Sequence, residues 1–178
     1  MAVVGRTAAI AARGEDAPLE LTPEYIIETL GLEPHPEGGY FKETYRDTAT
    51  TSSGRSASTT IYYLLKAGQH SSLHRIDASE GWHHYVGGPL QIIELDKSGP
   101  MVTILGSSLH DGERPQHVVK ARNWFGAKPA DGTDWALVGC TVAPAFEFEK
   151  FEMGKRKNLI EEYGEKCREW IEELTPEA

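Results

Sequence analysis

Two side chains able to do acid–base or metal chemistry stand close together in the middle of the chain. His74 and Glu80 lie within G-Q-H-S-S-L-H-R-I-D-A-S-E-G-W-H-H-Y-V-G, the stretch from Gly68 to Gly87. An imidazole beside a carboxylate can do one of two things. It can ligate a divalent cation, or the carboxylate can orient the ring as a general base. The stretch reads as two short antiparallel strands joined by a tight bend. Side chains alternate along a strand, so Ser72, His74 and Ile76 share one face and Glu80, Trp82 and His84 share another. Paired as a hairpin, these strands would turn His74 and Glu80 into one cavity and His83 away from it. The structural alternative is a buried hydrogen-bonded pair with no chemical role.

The elements that must position this pair are mostly strands. A helix opens the ordered part. Thr22 caps it, Pro23 and Glu24 suit its first turn, Ile26, Ile27 and Leu30 share a face, and Gly31 stops it. His35-Pro36-Glu37-Gly38-Gly39 reads as a turn, and Tyr40 to Arg46 as a strand with rings and charges on both faces. In a regular strand Glu43 and Arg46 fall on opposite faces. Thr59–Leu65 is β-branched and aromatic and reads as a strand. Further strands are expected at roughly Ser72–Asp77, Gly81–Val86, Leu90–Leu95, Met101–Leu105, His117–Ala121, Asp134–Val142 and Glu147–Phe151. Short strands at this interval point to a β-sandwich or barrel. Leu159, Ile160, Tyr163, Cys167, Trp170, Ile171 and Leu174 recur at helical spacing, predicting one helix over residues 155–174 packed outside the barrel.

With 178 residues, 39% of them hydrophobic and 25% charged, the chain suffices for a single domain over residues 21–178, preceded by a flexible tail over 1–20. A formal charge of −9 disfavours nucleic acid and anionic membranes as partners. Cys140 and Cys167, without a C-x-x-C pair, fit a reducing compartment such as the cytoplasm. Residues 1–17 carry Arg6 and Arg13 and no acid before Glu15. That is a faint trace of an organelle transit peptide, without its serine content.

Gly68, His74, Glu80 and Gly87, at these spacings, resemble the first signature of the cupin superfamily, with Ile76 replacing the second histidine of the usual H-x-H. Three stretches are similar to the cupin family DUF985, also called Cupin_5: H-P-E-G-G-Y-F-K-E-T-Y-R (35–46), L-H-R-I-D-A-S-E-G-W-H-H-Y-V-G-G-P-L (73–90) and L-V-G-C-T-V-A-P-A-F-E-F-E-K-F (137–151). The resemblance implies an all-β fold, a double-stranded β-helix with a site in the barrel mouth, and a homodimer. It also implies a place for a divalent metal. However, Trp124 and small residues stand where the second signature supplies a histidine, leaving His74 and Glu80, with His84 as a third donor if a metal binds. No cofactor is otherwise implied.

The metal-free cupin epimerases acting on nucleotide-linked deoxy sugars have a histidine base in a Leu-His pair, matching Leu73-His74, and a tyrosine acid. By that resemblance His74 is a candidate base and Tyr62 a candidate acid, with Tyr63 and Tyr40 as alternatives, and Glu80 completes the catalytic set. Ser71-Ser72 replaces the Arg-Gly of those enzymes. Glu43, Trp82, His83, His84 and Trp124 are candidate substrate contacts. The expected function is isomerase- or epimerase-like acid–base chemistry on a small polar, sugar-like or nucleotide-linked compound. The alternatives are a non-catalytic binding or sensing module and a metal-dependent cupin enzyme.

Overall fold

The computed structural model describes residues 21–176, so the reading of 1–20 as a flexible tail, and of 1–17 as a trace of a transit peptide, falls outside the described residues. The described chain forms two antiparallel sheets and three short helices. In chain order the elements are α1 (Pro23–Leu30), β1 (Glu33–Pro34), β2 (Tyr40–Arg46), β3 (Thr59–Lys66), β4 (Ser71–Arg75), β5 (Ser79–Gly87), β6 (Leu90–Glu94), β7 (Met101–Leu105), β8 (Gln116–Val119), β9 (Phe125–Pro129), β10 (Trp135–Ala143), β11 (Glu152–Met153), α2 (Arg156–Tyr163) and α3 (Arg168–Glu173). One sheet runs β1-β2-β3-β10-β5-β8 and the other β11-β4-β9-β6-β7. They face each other across a core of Tyr63, Leu65, Trp82, Ile92, Phe125 and Val138, all nearly inaccessible to water. Each such side chain contributes about 1.5–3 kcal/mol on burial.

The expected hairpin does not form. β4 pairs with β9 and β11, whereas β5 pairs with β10 and β8, so the chain changes sheets at Ile76–Ala78. Ile76 and Ala78 anchor that corner in a small apolar cluster with Val142, Phe146 and Phe151. The consequence for the site is larger than a change of pairing. His74 and Glu80 come from facing walls of the sandwich rather than from neighbouring arms.

Three other expectations need correction. Glu147–Phe151 is not a strand: Phe148–Lys150 is a single 3₁₀ turn. Phe125–Pro129 is a strand absent from the sequence reading, inserted between β4 and β6. The C-terminal helix is two helices, because Gly164 adopts φ 73° and ψ −168°, which breaks the hydrogen-bond ladder. Their apolar face, with Leu159, Cys167, Ile171 and Leu174, covers the outer side of the second sheet at Leu73 and Ile93. α1 conforms to its signals: Thr22 Oγ1 accepts the Tyr25 N–H at 3.2 Å, and Gly31 closes it in the left-handed region.

Candidate active site

Register fixes which side chains meet. Across the first sheet, Arg46, Thr59, Val142 and Glu80 form one transverse row on β2, β3, β10 and β5. The next row is Glu43, Ile61, Cys140 and Trp82. Alternation turns both rows inward. Trp82 is packed between Tyr63 and Phe125, ring centroids 5.8 and 6.0 Å away, and seals the barrel beneath these rows. Above it lies a cavity of about 310 Å³. Its inner wall carries His35, Glu37, His74, Glu80 and Cys140. Phe41, Ile61, Val142, Phe146 and Phe148 form its apolar sides.

Glu43 and Arg46 both line this cavity, although a regular strand would separate them. Glu43 pairs with Ile61 and Tyr45 with Thr60, so Thr44 is an extra residue in β2. This bulge reverses the alternation and brings Arg46 onto the face of Glu43. Arg46 then donates to both Glu43 carboxylate oxygens, at 3.0 and 2.8 Å, and to the Phe146 carbonyl at 3.1 Å.

His74, 2% exposed, lies between Phe125 and Phe151, ring centroids 4.2 and 5.2 Å away. Its Nδ1 is 2.8 Å from the Ser72 carbonyl, which can only accept, so Nδ1 carries the proton. Nε2 is therefore the nitrogen with the lone pair. Glu37 stands beside this ring, with Oε2 3.4 Å from Nδ1, while its Oε1 accepts the Ser71 hydroxyl at 2.8 Å. His35 completes the group. Burial pulls its pKa down more than the nearby Glu37 charge raises it, leaving a neutral ring whose Nδ1 accepts the Glu37 N–H at 3.3 Å. Its 3.7 Å approach to Glu37 Oε2 is accordingly not an ion pair.

On the facing wall Glu80 is 8% exposed and, among the described residues, accepts from no side-chain nitrogen or hydroxyl. Burial, reinforced by the charge of Glu37, pushes its carboxyl from 4.5 up to about 8. The Cys140 thiol pulls Glu80 the other way by less. Burial and the two carboxylates hold that thiol far above its ordinary value, so it remains S–H. At neutral pH Glu80 thus stands as a protonated carboxylic acid in the same cavity as the His74 ring.

Of the candidate residues named from sequence, the structure brings His74, Glu80 and Glu43 to the cavity. The others lie elsewhere. Tyr62 faces outward from β3, its ring 6.0 Å from Tyr85 on the outer side of the sheet. Tyr63 is the inward residue, but its hydroxyl donates to the Gly38 carbonyl at 2.7 Å and its ring is core. Trp82 is core for the same reason of depth. His83 is on the outer face near the Thr141 hydroxyl, and Trp124 lies under the Arg75 guanidinium in the helix-side cluster. His84 has the inward parity of Glu80 but pairs with Val138, on the far side of Trp82, and its Nε2 is 3.1 Å from the Gly88 carbonyl.

That placement bears on a metal. Among the described residues no three His, Cys, Asp or Glu side chains are grouped so as to hold an ion. The third donor considered, His84, is walled off by Trp82, and the Cys140 sulfur is kept protonated. The donor set does not fit a three-ligand cation site. Sequence reasoning also missed Glu37, His35 and Cys140. H-P-E-G-G gave no signal for Glu37, because such a run reads as an ordinary turn.

The comparisons agree with this architecture. A family model described as "Cupin superfamily (DUF985)", Cupin_5, matches residues 24–154. A hypothetical protein from Leishmania major is 32% identical, with a TM-score of 0.81 over 88% of this chain and 100% of that one. A protein of known structure from Shewanella oneidensis is 31% identical, with a TM-score of 0.83 over 89% and 100%. A cupin 2 conserved barrel domain protein from Rhodopseudomonas palustris, at 14% identity and a TM-score of 0.55 over 78% and 80%, shares the fold. No curated protein sequence gives a significant match. The chain belongs to the DUF985 (Cupin_5) family of the cupin superfamily.

Proposed function

We propose that this protein catalyses a proton-transfer isomerisation or epimerisation of a small polar compound bearing a carbonyl group. The observation that carries the reading is a proton acceptor and a proton donor in one cavity: with Nδ1 of His74 bound to the Ser72 carbonyl, Nε2 is left to take a proton, and Glu80, raised to about 8, can give one. A carboxyl kept protonated by its surroundings beside a basic ring divides the roles of acid and base. His74 removes a proton from the carbon next to the carbonyl. The C–H electron pair becomes the C=C bond of an enol, and the carbonyl π pair takes the Glu80 proton. His74 then gives its proton to the former carbonyl carbon, while the hydroxyl on the first carbon passes its proton to the Glu80 carboxylate. This completes an isomerisation with no oxidant. If the enol turns over in the cavity, its O–H proton returns to Glu80 and the His74 proton goes to the other face of the first carbon, which completes an epimerisation. Glu37 beside Nδ1 stabilises the imidazolium formed midway. The acid is Glu80 rather than Tyr62, which lies outside the cavity.

Incubating the protein in deuterated water with free and amino-bearing aldoses and ketoses tests this by proton NMR. Exchange of the C–H proton next to the carbonyl is expected with the wild type, with His74→Gln and Glu80→Gln each slower by roughly 10²–10⁴-fold. Ligand binding without exchange across the panel would replace catalysis with the binding-module reading.

A further inference from the structure

The charge around the cavity restricts what can enter it. Glu43, Glu147 and Glu149 stand at the mouth and Glu37 at the inner wall, against one lining guanidinium among the described residues, that of Arg46. Arg46 is already paired with a carboxylate: Glu43 takes its Nε–H and one Nη2–H, the Phe146 carbonyl takes the other Nη2–H, and only Nη1 is left over. Arg55, behind the rim, lies 3.6 Å from Glu147 but donates to both oxygens of Asp77 at 3.0 Å and to the Ala145 carbonyl. An entering phosphate or carboxylate would therefore meet carboxylates, and the two guanidinium charges nearby are already paired with Glu43 and Asp77. The His35 ring at the wall is kept neutral by burial.

The apolar side of the cavity matches the opposite charge. Phe146 and Phe148 pack edge to face, 4.9 Å between centroids, and Phe148 is 53% exposed at the opening. His35 stacks beside Phe148 at 6.2 Å. Aromatic faces next to carboxylates attract ammonium groups through the ring quadrupole and the charge together. Deeper in, the Glu80 carboxyl is more than nine-tenths buried and lines the cavity with the Cys140 thiol beside it and no nitrogen or hydroxyl of the described residues donating to it. It is an open polar anchor for a ligand hydroxyl or N–H.

We infer that the ligand of this cavity is a small organic cation, an amine with a compact polar or apolar body, and that phosphate- and carboxylate-bearing compounds are excluded. The inference takes from the proposed function only that the cavity is the substrate site. It narrows that site to amino-substituted compounds and removes nucleotide-linked ones.

Calorimetric titration with two charge-matched sets tests it: glucosamine, glucose and glucuronate, and phenethylamine, 2-phenylethanol and phenylacetate. In at least one set the ammonium compound should bind tenfold or more tightly than its neutral partner, and the anion not measurably. The preference should weaken with added salt. In the Glu147→Gln/Glu149→Gln variant the cation should lose affinity several-fold while the neutral compound keeps its own. Anions binding as well as cations, a ranking unmoved by the double variant, or no ammonium compound binding at millimolar concentration would overturn the inference. The two proposals fail separately. Cation preference without C–H exchange removes only the catalysis. Exchange on neutral or anionic carbonyl compounds without cation preference removes only the charge assignment.

Discussion

Oε2 of Glu37 lies 3.4 Å from Nδ1 of His74, and its carboxylate reaches the ring from a loop rather than from a strand. The rest of the site depends on that contact in two directions. Glu37 touches the ring at Nδ1, the nitrogen that carries the proton, and its charge disfavours ionisation of Glu80 across the cavity. One carboxylate thus bears on both the base and the acid.

Replacing Glu37 with glutamine should separate these effects. The Ser71 hydrogen bond has an acceptor of the same shape, but the charge is gone. The Glu80 titration midpoint is expected to fall, since Glu37 is the second cause of its elevation. Carboxyl NMR of the variant against the wild type reads the shift. A midpoint that stays in place would mean that burial alone sets it.

Glu37 is held where it is by Gly38. This residue has φ +113°, and a Cβ built on it would run into the backbone carbonyl of His70. A side chain here is strained twice, in its backbone conformation and in its space. Gly38→Ala should cost at least about 2 kcal/mol in urea unfolding, with more lost from C–H exchange than Gly31→Ala, where no atom is within reach of a Cβ.

Because Tyr62 points out of the barrel, Tyr62→Phe should leave C–H exchange within a factor of two or so of wild type, whereas His74→Gln should slow it by about 10²-fold or more. A large effect of Tyr62→Phe would restore the tyrosine-acid mechanism and remove Glu80 from that role.

A second carboxylate, Glu94, away from the cavity, adds a contribution to stability that acid removes. Glu94 on β6 accepts from His117 on β8 and from Asn123, both at 2.8 Å, and so ties one sheet to the other. Burial alone would raise its carboxyl, but these bonds outweigh burial and hold it below its ordinary value. A depressed carboxyl adds stability above its unfolded pKa that is lost as pH falls through the folded one. His117→Gln should therefore lower stability by roughly 2 kcal/mol near neutrality, with the difference from wild type shrinking in acid. Denaturant midpoints across the acid range measure it.

Much of this was legible in the sequence, and the misses have physical causes. β2 ends where the pattern put it, at Tyr40 and Arg46. The position of Arg46 was not legible, because Thr44 is an ordinary strand residue and nothing in its type announces a bulge. The His74–Glu80 cavity was expected, but through a hairpin. Alternation gives the face of a residue and not its sheet, and the Ile76–Ala78 corner contains no glycine or proline to signal a crossing. Tyr62 and Tyr63 are adjacent, so parity had to choose between them, and only the pairing of Thr59 and Ile61 with the cavity rows fixes the inward set. Glu37 was hidden by its neighbours, since a Pro-Glu-Gly-Gly run reads as a solvated turn.

The central claim is that a buried carboxylic acid stays protonated opposite His74 at neutral pH. Carbon-13 NMR of side-chain carboxyls, assigned by Glu80→Gln, tests it most directly over a pH series. The predicted midpoint for Glu80 is about 8. The linked stability must follow. A carboxyl raised in the fold binds protons that the unfolded chain has released, so wild type should lose stability relative to Glu80→Gln as pH climbs from 4.5 to about 8, and no further above that. A Glu80 midpoint near 4.5, with no such drift, would contradict the account.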